Sequence, residues 1–235
     1  MTVALLLHGA GSSPQVVAQL LAEAVPRGAR IVAPALHGTT ESTVRLLDAL
    51  AADAIPDRGD RRIGLVAGIS LGAHAAALWA ARSGRDVPLG LVMPAWTGAP
   101  DDAARATASS AALLRARGRA RVLADLRVVP GTADDWVVDA LGRGWAAYDD
   151  DEALAGALDA AASSPGPTLD DLARITAKTA VVALADDPLH PESVARDWVA
   201  ALPRGVLVVV ARAAVSSDPD ALGRAVRRGL EAAIS

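Results

Sequence analysis

One stretch limits this chain more than any other: Leu65-Val66-Ala67-Gly68-Ile69-Ser70-Leu71-Gly72-Ala73-His74. The first half reads as a short buried strand and the second as the start of an alanine-rich helix. Small residues two places before and two places after Ser70 let strand and helix pass close together around a sharp, strained turn. A turn of that shape pushes the Ser70 hydroxyl out beyond the strand, while the amides that open the helix point at whatever bonds to its oxygen. Five residues of common types specify little alone, so the flanking chain has to decide what the turn is for.

Around it, apolar runs alternate with helical patterns. Val3 to Leu7 is a first strand, ended by the turn cluster His8-Gly9-Ala10-Gly11-Ser12-Ser13-Pro14 and followed by helical character from Gln15 to Ala24. Ala29 to Ala33 reads as a second buried strand, Pro34 to Thr40 (with His37) as a loop, and Glu41 to Ile55 as a helix with Leu46, Leu47 and Leu50 on one face. After a polar turn at Pro56-Asp57-Arg58-Gly59-Asp60 come the strand Ile63 to Gly68, the helix Leu71 to Arg82 and a fourth strand, Val87 to Met93. Continuous apolar strands alternating with helices specify a parallel sheet covered on both faces.

The rhythm stops at Pro94. Helical patterns follow at about Asp102 to Arg117, Asp134 to Tyr148 and Asp151 to Ala162, separated by turns such as Pro130-Gly131. It resumes with the strand Thr179 to Ala185, the loop Asp186-Asp187-Pro188-Leu189-His190-Pro191, a helix to Ala201, the strand Val206 to Ala211 and a last helix from Pro219. The expected division is a core of 1–94 and 179–235 with a helical cap, 95–178, inserted over the sheet's carboxyl edge.

Composition narrows the functions. In 235 residues the formal charge is −4 with no basic stripe, which argues against nucleic acid and anionic membranes as partners and for a small-molecule substrate. There is no cysteine, so thiolate chemistry, disulfides and thiolate metal sites are excluded. Met1 to Gly9 lacks a basic start and a cleavage site, and no apolar run approaches the ~18 residues of a membrane span, so a cytoplasmic location is expected. No metal, nucleotide or flavin motif is present, so no cofactor is expected. Gly9 and Gly11 precede a helix, but no third glycine stands in register and no acidic residue closes the second strand. The carboxylates of Asp149-Asp150-Asp151-Glu152 read as a solvated helix start rather than a metal cluster.

Three loops thus lie at the carboxyl ends of parallel strands, where open α/β sheets bind ligands: His8-Gly9-Ala10-Gly11, the turn at Ser70, and Asp186 to Pro191. In this order, with a helical insertion between the fourth and fifth strands, the chain resembles the α/β-hydrolase fold family, beginning at that family's third strand. The resemblance implies a mainly parallel six-stranded sheet with helices on both faces and a helical cap. It also implies Ser70 as nucleophile on the family's nucleophile elbow, the amides of Ala10 and Leu71 as oxyanion hole, and Asp187, with Asp186 as rival, as the acid that orients the base. At the family's base position, in the loop after the last strand, the sequence has Val215 or Ala214 instead of histidine.

Four histidines remain to be weighed. His190 is the candidate surrogate base, because adjacent strands are ~4.8 Å apart and its loop neighbours the one with the missing residue. His8 is expected to hold its own turn beside Gly9, His74 to be an interior histidine one turn deeper than Ser70, and His37 to be a loop residue. Trp96, Trp136 and Val215, with Trp145 and Tyr148 as further aromatics, are expected around the pocket. The chemistry implied is hydrolysis of a small carboxylic ester, lactone or thioester through an acyl-Ser70 intermediate. Two rivals remain at this stage: a lyase, isomerase or cyclase that uses Asp187 for proton transfer, and a catalytically silent ligand-binding protein.

Overall fold

A computed structural model describes residues 1–36, 38–53, 62–128 and 136–233. His37, the turn at 56–60, the Pro130-Gly131 turn and the start of the helix expected from Asp134 lie outside the described residues. Within them, six strands form one sheet in the order β2-β1-β3-β4-β5-β6: β1 Thr2–Leu7, β2 Arg30–Val32, β3 Arg62–Ile69, β4 Leu89–Val92, β5 Thr179–Ala185 and β6 Gly205–Ala211. Every pairing is parallel. From β1 the chain steps out to β2, returns past β1 to β3 and continues the other way, so the order reverses between β1 and β3. The crevice above such a reversal is where a parallel sheet leaves room for a ligand.

Two apolar layers hold the helices to the sheet. On one face lie α2 (Thr40–Asp53), α3 (Leu71–Ser83), α8 (Leu169–Ala173) and α9 (Glu192–Ala201), around a cluster that includes Leu5, Leu7, Leu47, Leu89 and the fully buried Trp79 and Trp198. On the other lie α1 (Pro14–Leu20) and α11 (Ala221–Ala232), around Leu6, Leu65, Val182, Leu184 and Val226. Helix α3 is apolar on every side and buried from Leu71 to Ala81, which its run of alanines permits by letting sheet and neighbouring helices approach closely.

The second strand departs from expectation. It was read as buried, but β2 is a three-residue edge strand with Arg30 and Ile31 exposed. An apolar run of this length looks the same in the middle of a sheet or at its edge, because edge position is set by the order of crossovers.

Between β4 and β5 the described residues contain five helices and no strand: α4 Asp102–Arg117, α5 Arg119–Val128, α6 Trp136–Trp145, α7 Asp151–Ala162 and α8. α4 packs along α7, and α5 against α6, over a cluster of their own that includes Leu114, Trp145, Tyr148 and Leu154. α8 instead packs on α3 and α9 and belongs to the sheet's helical layer. The sequence pattern matched α4 and α7 in both bounds but did not reveal α5, α8 or a short α10, Arg212–Ser217, after β6.

The carboxylate run after Tyr148 is used up locally. Asp150 caps α7 by accepting from the Ala153 amide at 2.7 Å, while Asp151 pairs with Arg119 and Glu152 with Arg115. Among the described residues there is no group of three or more His, Asp or Glu able to hold a metal ion. Likewise, no described helix is long and apolar enough to cross a membrane.

Candidate active site

Ser70 stands at φ 54°, ψ −116°, a left-handed conformation that a side chain adopts only under strain. Packing imposes it. A Cβ on Gly68 would lie 2.3 Å from the carbonyl of Gly72, and one on Gly72 would lie 2.3 Å from the Leu7 carbonyl oxygen, so both positions need glycine for α3 to fold back across β1 and β3. The Ser70 amide donates to the Val92 carbonyl at 2.9 Å, tying the turn to β4. Met93 (φ 51°) and Asp186 (φ 60°), just past the ends of β4 and β5, are the other two non-glycine residues with positive φ among those described. Strain is therefore gathered at the carboxyl ends of three adjacent strands, where active sites store it.

Asp186 turns the chain sharply out of β5, and the next residues fold back over the sheet. Asp187 Oδ1 accepts from the amides of Leu189 (2.9 Å) and His190 (3.3 Å), which closes the loop into a tight turn. Its Oδ2 lies 2.9 Å from Nδ1 of His190, and the opposite ring nitrogen, Nε2, lies 3.1 Å from Ser70 Oγ. An ionised carboxylate can only accept, so Nδ1 carries the proton and Nε2 offers a lone pair to the serine hydroxyl. The structure thus brings Ser70, His190 and Asp187 into one chain of hydrogen bonds, with the imidazole and the carboxylate supplied by a single loop.

The ionisation of Asp187 fits this arrangement. Burial alone pushes its carboxyl up, but the hydrogen bond from His190, the charge of that imidazole, the Leu189 amide and the nearby Arg212 guanidinium outweigh it, and Asp187 lies below the ordinary carboxylate range. Asp186 makes the strained turn. Arg212 was not singled out in the sequence; the sheet register is what places it, since Ala211 pairs with Ala185 and Arg212 follows it directly.

The loop after β1 lies against the serine. A Cβ on Gly9 would lie 3.2 Å from the Ile69 carbonyl oxygen and 3.3 Å from Ser70 Cβ, so glycine lets the backbone pass close to the serine without its neighbours having to give. His8 holds the loop: its Nε2 accepts from the Leu36 amide at 2.9 Å, which places the proton on Nδ1 facing the Gly9 carbonyl at 2.8 Å. Leu71 is the first residue of α3, where an amide has no partner within the helix. The amides of Ala73 and His74 fold back on the Ser70 carbonyl at 2.9 and 3.1 Å.

His74 is fully buried behind the serine, and its Nε2 accepts from the amides of Ala95 (3.1 Å) and Trp96 (3.5 Å). Burial, with the charge of His190 adding to it, pushes its pKa down to about 3, so it is a neutral acceptor that pins the chain leaving β4. Trp96, expected at the pocket mouth, lies edge-on to the His74 ring at 4.7 Å and donates its indole N–H to the Ser164 carbonyl at 3.2 Å, joining the two ends of the helical insertion. Trp136 opens α6, partly buried against the cluster that includes Ile69, Met93 and Val215. Val215 itself is fully buried in that cluster.

The sequence model of the alpha/beta hydrolase family matches residues 4–225. The chain belongs to this family. Among solved structures it is similar to a carboxylesterase from the thaumarchaeon Nitrososphaera gargenis (TM-score 0.75, 16% identity, 99% of this chain and 91% of that one). It is also similar to MenH from S. aureus (TM-score 0.73, 14% identity, 100% and 95%) and to the enol-lactonase from Burkholderia xenovorans LB400 (TM-score 0.72, 18% identity, 98% and 92%). A sequence search of curated proteins found no match.

Proposed function

We propose that the protein is a serine hydrolase of small carboxylic esters, lactones or thioesters, with His190 as base in place of the histidine that the family carries after its last strand. The observation that carries this reading is the geometry at one imidazole: Nε2 at 3.1 Å from Ser70 Oγ and Nδ1 at 2.9 Å from Asp187 Oδ2. A serine hydroxyl is a poor nucleophile until a base within hydrogen-bond reach takes its proton, and the base works best when a third group fixes its tautomer.

In the first half-reaction Ser70 Oγ attacks the substrate carbonyl carbon as its proton passes to His190 Nε2. Negative charge moves to the carbonyl oxygen, where the amides of Ala10 and Leu71 receive it; a preorganised donor of this kind is worth roughly 3 kcal/mol. Collapse of the tetrahedral intermediate breaks the bond to the leaving group, which takes the proton from His190. Water then attacks the acyl-serine, His190 accepts its proton, and a second collapse releases the acid and returns the proton to Ser70. Throughout, Asp187 holds Nδ1–H and offsets the charge on the imidazolium.

The non-hydrolytic alternative needs a carboxylate open to substrate, and here the hydrogen bonds of Asp187 run to His190 and to its own loop. The test is turnover of p-nitrophenyl acetate and a panel of lactones and thioesters by the parent and by Ser70→Ala. Hydrolysis by the parent that the variant lacks supports the reading, and equal activity in both overturns it.

A further inference from the structure

The helical insertion touches the loop that leaves β1. Where α6 ends and α7 begins, it meets the loop that carries Ala10. A Cβ added to Gly144 would lie 2.6 Å from the Gly11 carbonyl oxygen and 2.8 Å from Ser12 Cα, so the two backbones touch at a point that admits no side chain. From the other side Gly11 (φ +67°) is confined less tightly, since a Cβ there would lie 3.1 Å from Trp145 Nε1 and 3.3 Å from a Leu158 methyl. Ala10 packs against the same cluster, and the Gly11 amide faces the buried hydroxyl of Tyr148.

This seat is itself held by hydrogen bonds. Arg119, mostly buried, donates to the carbonyls of Trp145 (2.6 Å) and Tyr148 (2.9 Å) and pairs with Asp151 at the start of α7. Elsewhere the two ends of the insertion are tied to each other, and to the start of α2 in the core. The Gly98 amide donates to the Pro167 carbonyl at 2.9 Å, the Gly166 amide to Gly98 at 2.8 Å, and the Thr40 amide to Ser164 Oγ at 3.1 Å.

We propose that the α6–α7 junction positions the oxyanion loop, with Gly144 and Tyr148 as positioning residues that set where the Ala10 amide points. This rests on the serine hydrolase reading for its effect on rate, but the physical coupling stands apart from it. An amide displaced by a few tenths of an ångström from a developing oxyanion loses much of its stabilisation, while a ground-state carbonyl is hardly affected. The seat therefore governs kcat more than KM.

The experiment compares Gly144→Ala with Gly156→Ala, a control in α7 whose added methyl would meet nothing within 4 Å. Gly144→Ala should lower kcat on p-nitrophenyl acetate roughly ten- to a hundredfold with KM within about twofold, as expected for a partly lost oxyanion donor. It should also raise hydrogen exchange at the amides of residues 9–12, while Gly156→Ala changes neither. If Gly144→Ala fails to fold, Tyr148→Phe takes its place, with a smaller change in the same two readouts. If the parent shows no Ser70-dependent turnover, the hydrolase reading fails and the exchange measurement alone decides the seat. Parental exchange at residues 9–12 in the folded variant overturns the proposal.

Discussion

Two neighbouring loops at the carboxyl edge of the sheet differ in what they present to Ser70. In the resemblance drawn from the sequence, the acid belongs after β5 and the base after β6. Here the segment after β5 holds a carboxylate and an imidazole, Asp187 and His190, three residues apart and hydrogen-bonded to each other, while the segment after β6 is a short helix whose Val215 is fully buried. The comparison teaches that the requirement on a base is geometric. Adjacent strands end about 5 Å apart, so an imidazole on either loop can reach the serine if its own loop folds inward. After β5 that folding is enforced by the positive φ of Asp186 and the turn that Asp187 makes with the amides of Leu189 and His190. Past β6, Ala214 and Val215 of α10 pack into the core while Ala213 is exposed, and the charge of Arg212 acts on Asp187.

The contrast can be broken most severely at the serine. Ser70→Ala should lower kcat on a p-nitrophenyl ester by about four orders of magnitude or more, measured against a burst-free blank. The loops themselves separate next. His190→Ala should cost about three to four orders of magnitude in kcat with little change in melting temperature, since it is a partly exposed loop residue. Val215→Ala should do the reverse, lowering stability by roughly 2 kcal/mol in chemical denaturation while kcat changes less than tenfold. A Val215 variant that loses activity as completely as the His190 variant would reverse the assignment of the two loops.

Asp187→Asn keeps the shape of the loop but replaces the acceptor at Nδ1 and should lower kcat by about two to four orders of magnitude. Arg212→Ala, which removes a charge beside Asp187 without touching the imidazole's partner, should cost only a few-fold in kcat/KM.

Histidine chemistry and histidine packing can also be told apart by acid. Folded His74 takes up a proton only near pH 3, whereas in the unfolded chain it does so near its ordinary value of about 6.5. Between those values the unfolded state binds more protons, so the stability contributed by neutral His74 is complete above about pH 6.5 and is lost as pH falls toward 3, by an amount on the order of several kcal/mol. Denaturation at pH 7 and pH 4 should therefore show a smaller drop for His74→Gln than for the parent, whatever their relative stability at pH 7.

Much of this was legible in the sequence because it rests on residue types that have few uses. Gly68 and Gly72 around Ser70 announce a close crossing of strand and helix, and the added-methyl distances of 2.3 Å show why nothing larger serves. The starts of α4 and α7 could be read because each is preceded by an aspartate, Asp101 or Asp150, that caps it. α10 could not, since its six residues follow Ala211, an N-cap residue that makes no side-chain cap.

The glycine-flanked turn at Ser70, the family resemblance for Asp187 and the loop position of His190 named the three as candidates but could not say that they meet. That depends on a left-handed aspartate, Asp186, which carries no signature of its φ. Nor could sequence show that Trp96 is a strut between the ends of the insertion, because an indole at the end of a strand reads the same whether its N–H finds a ligand or the Ser164 carbonyl.

The central claim is that Ser70 is activated by the imidazole of the β5 loop. Its most direct test is the rate of labelling by a fluorophosphonate, followed by intact mass on parent, Ser70→Ala and His190→Ala. The account predicts a single phosphonyl adduct on the parent, none on Ser70→Ala, and labelling of His190→Ala slower by about two orders of magnitude or more. A folded parent that takes no adduct, or a His190 variant labelled at the parental rate, would contradict it.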